Sequence, residues 1–254
     1  MHAAIKLITR ADDAGLNAGT NEGVRLAVAR GVARNASILA AGPAVEDAAQ
    51  RLRGLDVCFG FHGCLTSEWA SPGWGPLTRD RRLMDERGLF PVSGAALQAL
   101  NPPADAVLPE MAAQLARLRE LGFPVRYMDE HMYFSFSLPA LRPALEEFAR
   151  REGLIYRMEI PCLPVPDSEK GKPASPARFL SSLQLAPPGL WLEINHPAMD
   201  WPDMHAVHLD GQSTGVVAAE RREQLRQFTD PTVITFLAGD SVRVLRYDEL
   251  ESST

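Results

Sequence analysis

Residues 6–23 read KLITRADDAGLNAGTNEG, with two carboxylates, Asp12 and Asp13, side by side where an apolar run gives out. Gly15 and Gly19 follow at once. Asp and Gly are common turn residues, so a solvated turn is one reading. A metal or acid/base site is the other. If the strand ends here and its pleat is lost, both side chains can turn into one cavity, where a cation would offset the repulsion that otherwise raises one pKa. The same stretch opens a strand-to-helix unit. Ile5 to Thr9 predicts a strand, and Thr20 to Arg30 a helix, with Val24, Ala27 and Val28 on its stripe and Gly31 as its stop.

The alternation continues along the chain. NASILAA (35–41), DVCFGFH (56–62), PVRYMDEH (124–131), LIYRMEI (154–160) and LWLEINH (190–196) read as strands, and SVRVLRY (241–247) as a last one. Between them AVEDAAQRLRG (44–54), PEMAAQLARLRELG (109–122), LPALRPALEEFARREG (138–153) and AAERREQLRQF (218–228) read as helices, the third despite Pro143. Such alternation predicts an α/β fold on a parallel sheet, open or closed. Two stretches interrupt it, Gly63 to Ala106 and Pro161 to Pro176, both rich in Pro. Long loops inside a compact domain are usually functional.

Length and composition set the bounds. A chain of 254 residues, 46% hydrophobic, suits one α/β domain over 1–254. The net charge of −6 gives no basic footprint for nucleic acid. No apolar run approaches the ~20 residues that span a bilayer, so no membrane partner is expected. The first residues lack the apolar core of a signal peptide. Cys58, Cys64 and Cys162 are odd in number and form no CxxC pair. A soluble cytoplasmic protein is expected, and a homodimer is compatible with it.

The predicted strand ends carry the chemistry: Asp12 and Asp13, then His62, then Asp129 and His131, then Arg157 and Glu159, then Glu193, Asn195 and His196. In α/β folds, ligands sit outside the carboxyl ends of parallel strands. Two His and one carboxylate are a familiar donor set for a catalytic metal with an open position, and Asp13, His62 and His131 fit it. Asp12 could take a proton from water, and His196 could donate one to a leaving group. Each residue also has a plainer reading. His131 could be a hydrogen-bonded core histidine, and Asp129 could orient it rather than bind metal. Arg157 could pair with a core carboxylate. Trp69, Trp74 and Tyr133 could pack, or offer faces to sugar rings. Glu130 is expected on the opposite side of its strand. His205 and His208 are expected to be solvated.

Six segments together resemble the YdjC-like carbohydrate deacetylases, which include the chitooligosaccharide deacetylases. They are RADDAGLNAGTNEGV (10–24), NASILAAGPAVEDA (35–48), FGFHGCLT (59–66), EMAAQLARLRELGFPVRYMDEH (110–131), EINHPAMD (193–200) and ERREQLRQFTDP (220–231). The resemblance implies a distorted (β/α) TIM-like barrel and hydrolysis of N-acetyl groups on amino sugars with a divalent cation, magnesium or zinc foremost. It implies Asp13, His62 and His131 as metal ligands, Asp12 as general base and His196 as the late histidine. Arg157, Tyr133, Trp69 and Trp74 are the expected substrate contacts, and Asp129 a supporting residue. The chain departs from the family at Met132 and Tyr133, where histidines are usual, which implies an altered substrate. A metal hydrolase of another ester or amide is the alternative, as is a sugar-binding barrel without turnover. Acetate release from acetylated sugars separates them.

Overall fold

The computed structural model describes residues 5–166 and 173–250. The chain runs β1 (Ile5–Ala14), α1 (Ala18–Ala29), β2 (Asn35–Ile38), α2 (Val45–Leu52), β3 (Cys58–Gly63), α3 (Gly94–Leu100), α4 (Ala104–Glu120) and β4 (Val125–Glu130). It continues with α5 (Phe134–Ser137), α6 (Arg142–Arg151), β5 (Ile155–Tyr156), β6 (Leu163–Pro164), α7 (Pro176–Leu185) and β7 (Gly189–Asn195). The described chain closes with α8 (Pro202–His205), α9 (Val216–Thr229), α10 (Pro231–Leu237) and β8 (Val242–Leu245).

The strands pair in the order β5-β4-β3-β2-β1-β7-β6, and the pairings are parallel. β1 organises the sheet. β7 lies along Ile5 to Ala11, β2 pairs with Arg10 to Ala14, and β8 pairs with Ile5 to Ile8, the half that β2 leaves free. The result is a curled half-barrel wrapped by helices.

Two cores follow from the pleat, because alternate residues of a strand face opposite sides. Leu7 and Ala11 join the large layer between sheet and helices, with Val24, Leu52, Leu118 and Phe228. Ile8 faces the interior with Cys58, Tyr127, Leu192, Leu245 and Tyr247. Space in that interior is tight. The Tyr127 and Tyr247 rings lie 4.3 Å apart, and the Tyr127 hydroxyl meets Ser37 Oγ at 2.7 Å. Gly60 makes room for Tyr127, because a Cβ there would come within 2.1 Å of the phenol ring.

Some boundaries differ from those expected. β1 runs to Ala14 rather than stopping at Thr9. The fifth strand is only Ile155–Tyr156, since a helical turn takes over at Arg157–Glu159. Pro143 sits in the first turn of α6, where its missing N–H costs nothing. The stretch from Gly63 to Ala106 is irregular except for a helical turn at Arg81–Leu83, helix α3 and the start of α4. It is tied down by buried Glu110, whose carboxylate accepts from the backbone N–H groups of Leu77 and Thr78. Of the second stretch, Pro161 to Pro176, residues 167–172 lie outside the described residues.

Gly60→Ala should therefore overpack the interior. A loss of about 1–3 kcal/mol is expected, read as a lower urea midpoint with an unchanged slope. Unaltered stability would mean that Tyr127 can shift freely.

Candidate active site

Asp12 and Asp13 share one cavity for a reason different from the one expected. The strand does not end there; it bulges. The β1–β2 register slips between Ala11 and Ala14, and Asp13 adopts a left-handed backbone with φ 68°. A bulge re-aims side chains and is common beside active sites. Asp12 keeps the inward direction of Arg10 and Ile8, and the slip turns Asp13 inward beside it. Gly15 completes the turn with φ 112°, where a Cβ would lie 2.5 Å from the Leu39 carbonyl oxygen.

Asp13, His62 and His131 converge. Asp13 Oδ1 lies 3.5 Å from His62 Nε2 and 3.3 Å from His131 Nδ1, and the two ring nitrogens are 3.3 Å apart. Asp13 Oδ1 is buried and has no hydrogen-bond partner. Its other oxygen, Oδ2, pairs with Arg221 at 2.8 Å. Burial alone would raise the Asp13 pKa, but Arg221, His131 and His62 hold it well below the usual carboxylate range. Each histidine has a carboxylate behind it. Asp129 Oδ1 meets His62 Nδ1 at 2.9 Å, and Glu68 Oε2 meets His131 Nε2 at 2.9 Å. If each carboxylate accepts a ring N–H, the opposite nitrogen presents a lone pair to the cluster.

This arrangement fits a small divalent cation. An ion about 2.1 Å from each of three tetrahedrally placed donors spaces them about 3.4 Å apart, which matches the observed separations. A second group, Asp12, His62 and Asp129, is also close enough to share an ion. Its donors are already committed. Arg10 holds both Asp12 oxygens at 2.7 Å, and His62 Nδ1 is engaged with Asp129.

The remaining expected residues are distributed around the cluster. Asp129 orients His62 and not His131, a correction to the sequence reading; it also accepts from Ser37 Oγ and pairs with Arg10 at 2.8 Å. His196 follows β7 half-buried, its backbone N–H bonded to Gln224. Burial lowers its pKa; Asp13 opposes that and Arg221 adds to it. Tyr133 sits half-buried in a left-handed turn, and burial raises its phenol pKa, with the charges of Arg10, Asp12 and Arg157 also acting on it. Arg157 is buried in a helical turn, with Nη1 on the Ile160 carbonyl and Nε without a partner. Trp69 lies under Arg221, whose guanidinium carbon is 5.3 Å from the ring centre. Trp74 does not offer a face to a ligand. It is buried, its N–H meets the Thr66 carbonyl, and its ring stands edge-on to His131. Glu130 points away from the cluster, accepting from Tyr156 and the Ser135 N–H. His205 is exposed and paired with Asp200.

Three site residues escaped the sequence reading. Arg10 had a signal, since it lies two residues before Asp12 and so on the same face of the strand. Arg221 had one too, because Val217, Arg221 and Leu225 share a helical stripe. Glu68 sits in irregular chain, where no periodicity could single it out.

The chain is similar to known proteins in sequence and in fold. A family model described as YdjC-like protein matches residues 6–239. A carbohydrate deacetylase of Vibrio cholerae is 30% identical over 148 residues, which is 58% of this chain and 56% of that protein, so the matched stretch spans little more than half its length. A carbohydrate deacetylase of Geobacillus stearothermophilus is 28% identical over 95% of this chain and 96% of its own. Among solved structures, an Enterococcus faecalis protein named for a proposed cellobiose-phosphate cleavage shares the fold. Its TM-score is 0.69 at 17% identity, covering 97% of this chain and 98% of that one.

Arg10 is the cation paired with buried Asp12 and Asp129. Arg10→Met should leave Asp12 and Asp129 without it and cost about 3–5 kcal/mol, measured by urea unfolding. Parent-like stability would show that the pair contributes little.

Proposed function

The chain belongs to the YdjC-like family, and on that premise we propose that it is a divalent-cation-dependent hydrolase that removes the acetyl group from an N-acetylated amino sugar. The three donor atoms of Asp13, His62 and His131, spaced 3.3–3.5 Å around an unsatisfied buried carboxylate oxygen, support this most directly. Asp13, His62 and His131 would hold the ion, and two imidazoles with one carboxylate suit zinc better than magnesium. When bound, the ion supplies Lewis acidity to the acetyl carbonyl and makes water a better nucleophile at neutral pH.

The chain's own residues handle the protons. Asp12 is the base. Arg10 fixes both of its oxygens, but a carboxylate has about four acceptor positions, so lone pairs remain for a proton from water. Arg10 thus sets the direction of Asp12. His196 gives a proton to the departing amine. Its lowered pKa favours the uncharged ring at neutral pH, so it must first acquire the proton it passes on. The same two observations favour a second reading: His196 takes the proton from water and passes it to the departing amine, while Asp12, held by Arg10, only orients the water.

Asp12→Asn should retain the ion and lose ~10²–10⁴ in kcat. Asp13→Asn should instead bind the ion more weakly, since a neutral ligand replaces an anionic one. His196→Ala should lose turnover with the ion retained. Acetate release measured beside metal content separates these outcomes; full activity of Asp12→Asn at matched metal content would reassign the base.

The pH response of the ion site has a definite sign. In the ion-free protein, burial lowers the His62 pKa, but Asp129 and Asp12 raise it, to about 9. Ion uptake displaces that proton, so affinity should rise with pH toward about 9. The stability of the ion-free protein should move the other way. A pKa raised on folding contributes stability below the unfolded value, ~6.5, and that contribution is lost as pH climbs through the folded one. Thermal unfolding with and without chelator over this interval should give diverging trends, and parallel curves would contradict the His62–Asp129 pairing.

A further inference from the structure

The three histidines of the site are aimed in two different ways. His62 and His131 each have a carboxylate behind the ring, Asp129 and Glu68. Among the described residues no group hydrogen-bonds the His196 ring, so its direction rests on the backbone that carries it.

That backbone leaves β7 and is stitched to two helices. The N–H groups of Ala198 and Met199 donate to main-chain carbonyls, Arg221 of α9 at 3.3 Å and Gly19 of α1 at 2.9 Å. Pro197 has no N–H to place. Gly23 of α1 lets it approach, since a Cβ there would come within 2.4 Å of the Pro197 carbonyl oxygen. The His196 N–H is the exception, because it donates to a side chain, Gln224 Oε1.

The surroundings of Gln224 keep that acceptor in place. Its Nε2 lies 3.3 Å from Glu220 Oε1, one helical turn back. An ionised carboxylate only accepts, so the amide turns its NH₂ toward Glu220 and its oxygen toward His196. Gln224 also follows Arg221 by three residues, which puts both on one side of α9, and Arg221 grips Asp13 Oδ2. One helix therefore holds a ligand carboxylate through one side chain and the start of the His196 segment through another.

We propose that Gln224 is a positioning residue, which keeps His196 within reach of the departing amine by holding its main-chain N–H. The inference rests on the deacetylase reading above, and it is common to both readings of how His196 moves the proton.

The test is a double-mutant cycle in the metal-loaded protein. Gln224→Leu keeps the bulk and the helix but removes the acceptor, whereas Gln224→Glu keeps an acceptor. A misplacement of ~1 Å can cost ~10²-fold in rate. Gln224→Leu should lower kcat for acetate release from N-acetylglucosamine about tenfold, with KM and metal content unchanged. Gln224→Glu should stay within about threefold of the parent. In the His196→Ala background, Gln224→Leu should cost less than about twofold further. An equal loss in both backgrounds, a parent-like kcat in Gln224→Leu, or no recovery in Gln224→Glu overturns the proposal and leaves the deacetylase reading standing. Absence of acetate release by the parent counts against the deacetylase reading instead. The NMR signal of the His196 ring, identified by its loss in His196→Ala, then decides the positioning role. A signal shifted in Gln224→Leu and restored in Gln224→Glu sustains it, and one unmoved in both overturns it.

Discussion

A single guanidinium, enclosed in the half-barrel and 1% exposed, sets the terms for the rest of the site. Arg10 grips Asp12 through two hydrogen bonds and Asp129 through an ion pair, and touches the Tyr247 hydroxyl at 3.2 Å. Ions in a low-dielectric interior are tolerated only when paired and hydrogen-bonded. Arg10 therefore lets two carboxylates reside there at once. Asp129 in turn aligns His62, so one buried cation fixes both a proton acceptor and an imidazole. The proposed catalytic group and the proposed ion site are mechanically one unit.

A second unit meets it from the other side. Arg221 steadies Asp13, Glu68 steadies His131, and Trp69 lies against Arg221. These come from a helix and from the irregular chain after β3, whereas the Arg10 unit is built on strands. Strands supply one half of the site, and the long loop and α9 supply the other.

Much of this was legible in the sequence, and the illegible remainder has physical causes. Strand positions and the convergence of Asp13, His62 and His131 could be read because parallel strands deliver their ends to one rim. The length of β1 could not be read, since Asp12 and Asp13 look like a terminus and the bulge that keeps the strand going is a backbone event. The alternation predicts Arg157 on the fifth strand, but the chain coils after Tyr156. Trp74 was offered as a sugar platform, and only packing reveals that its indole is enclosed. The partner of Asp129 was misjudged because adjacency in sequence suggested His131, whereas the sheet sets His62 directly opposite Asp129. Register across strands is a long-range property, and a local window does not contain it.

The pairing of β8 with the first half of β1 bears on how the protein is made. Ribosomes release chain from the N-terminus at roughly 5–20 residues per second, so β1 emerges long before its last neighbour. Asn35 and Tyr247 lock together across the interior, the Asn35 side chain accepting from the Tyr247 N–H. Until Tyr247 arrives, the half-barrel lacks that closing contact and the lower half of β1 has an open edge. Unpaired edges are where nascent chains associate wrongly. Assembly of the interior thus waits for β8, and changes in that strand should show themselves first as poor yield of soluble chain rather than as altered chemistry.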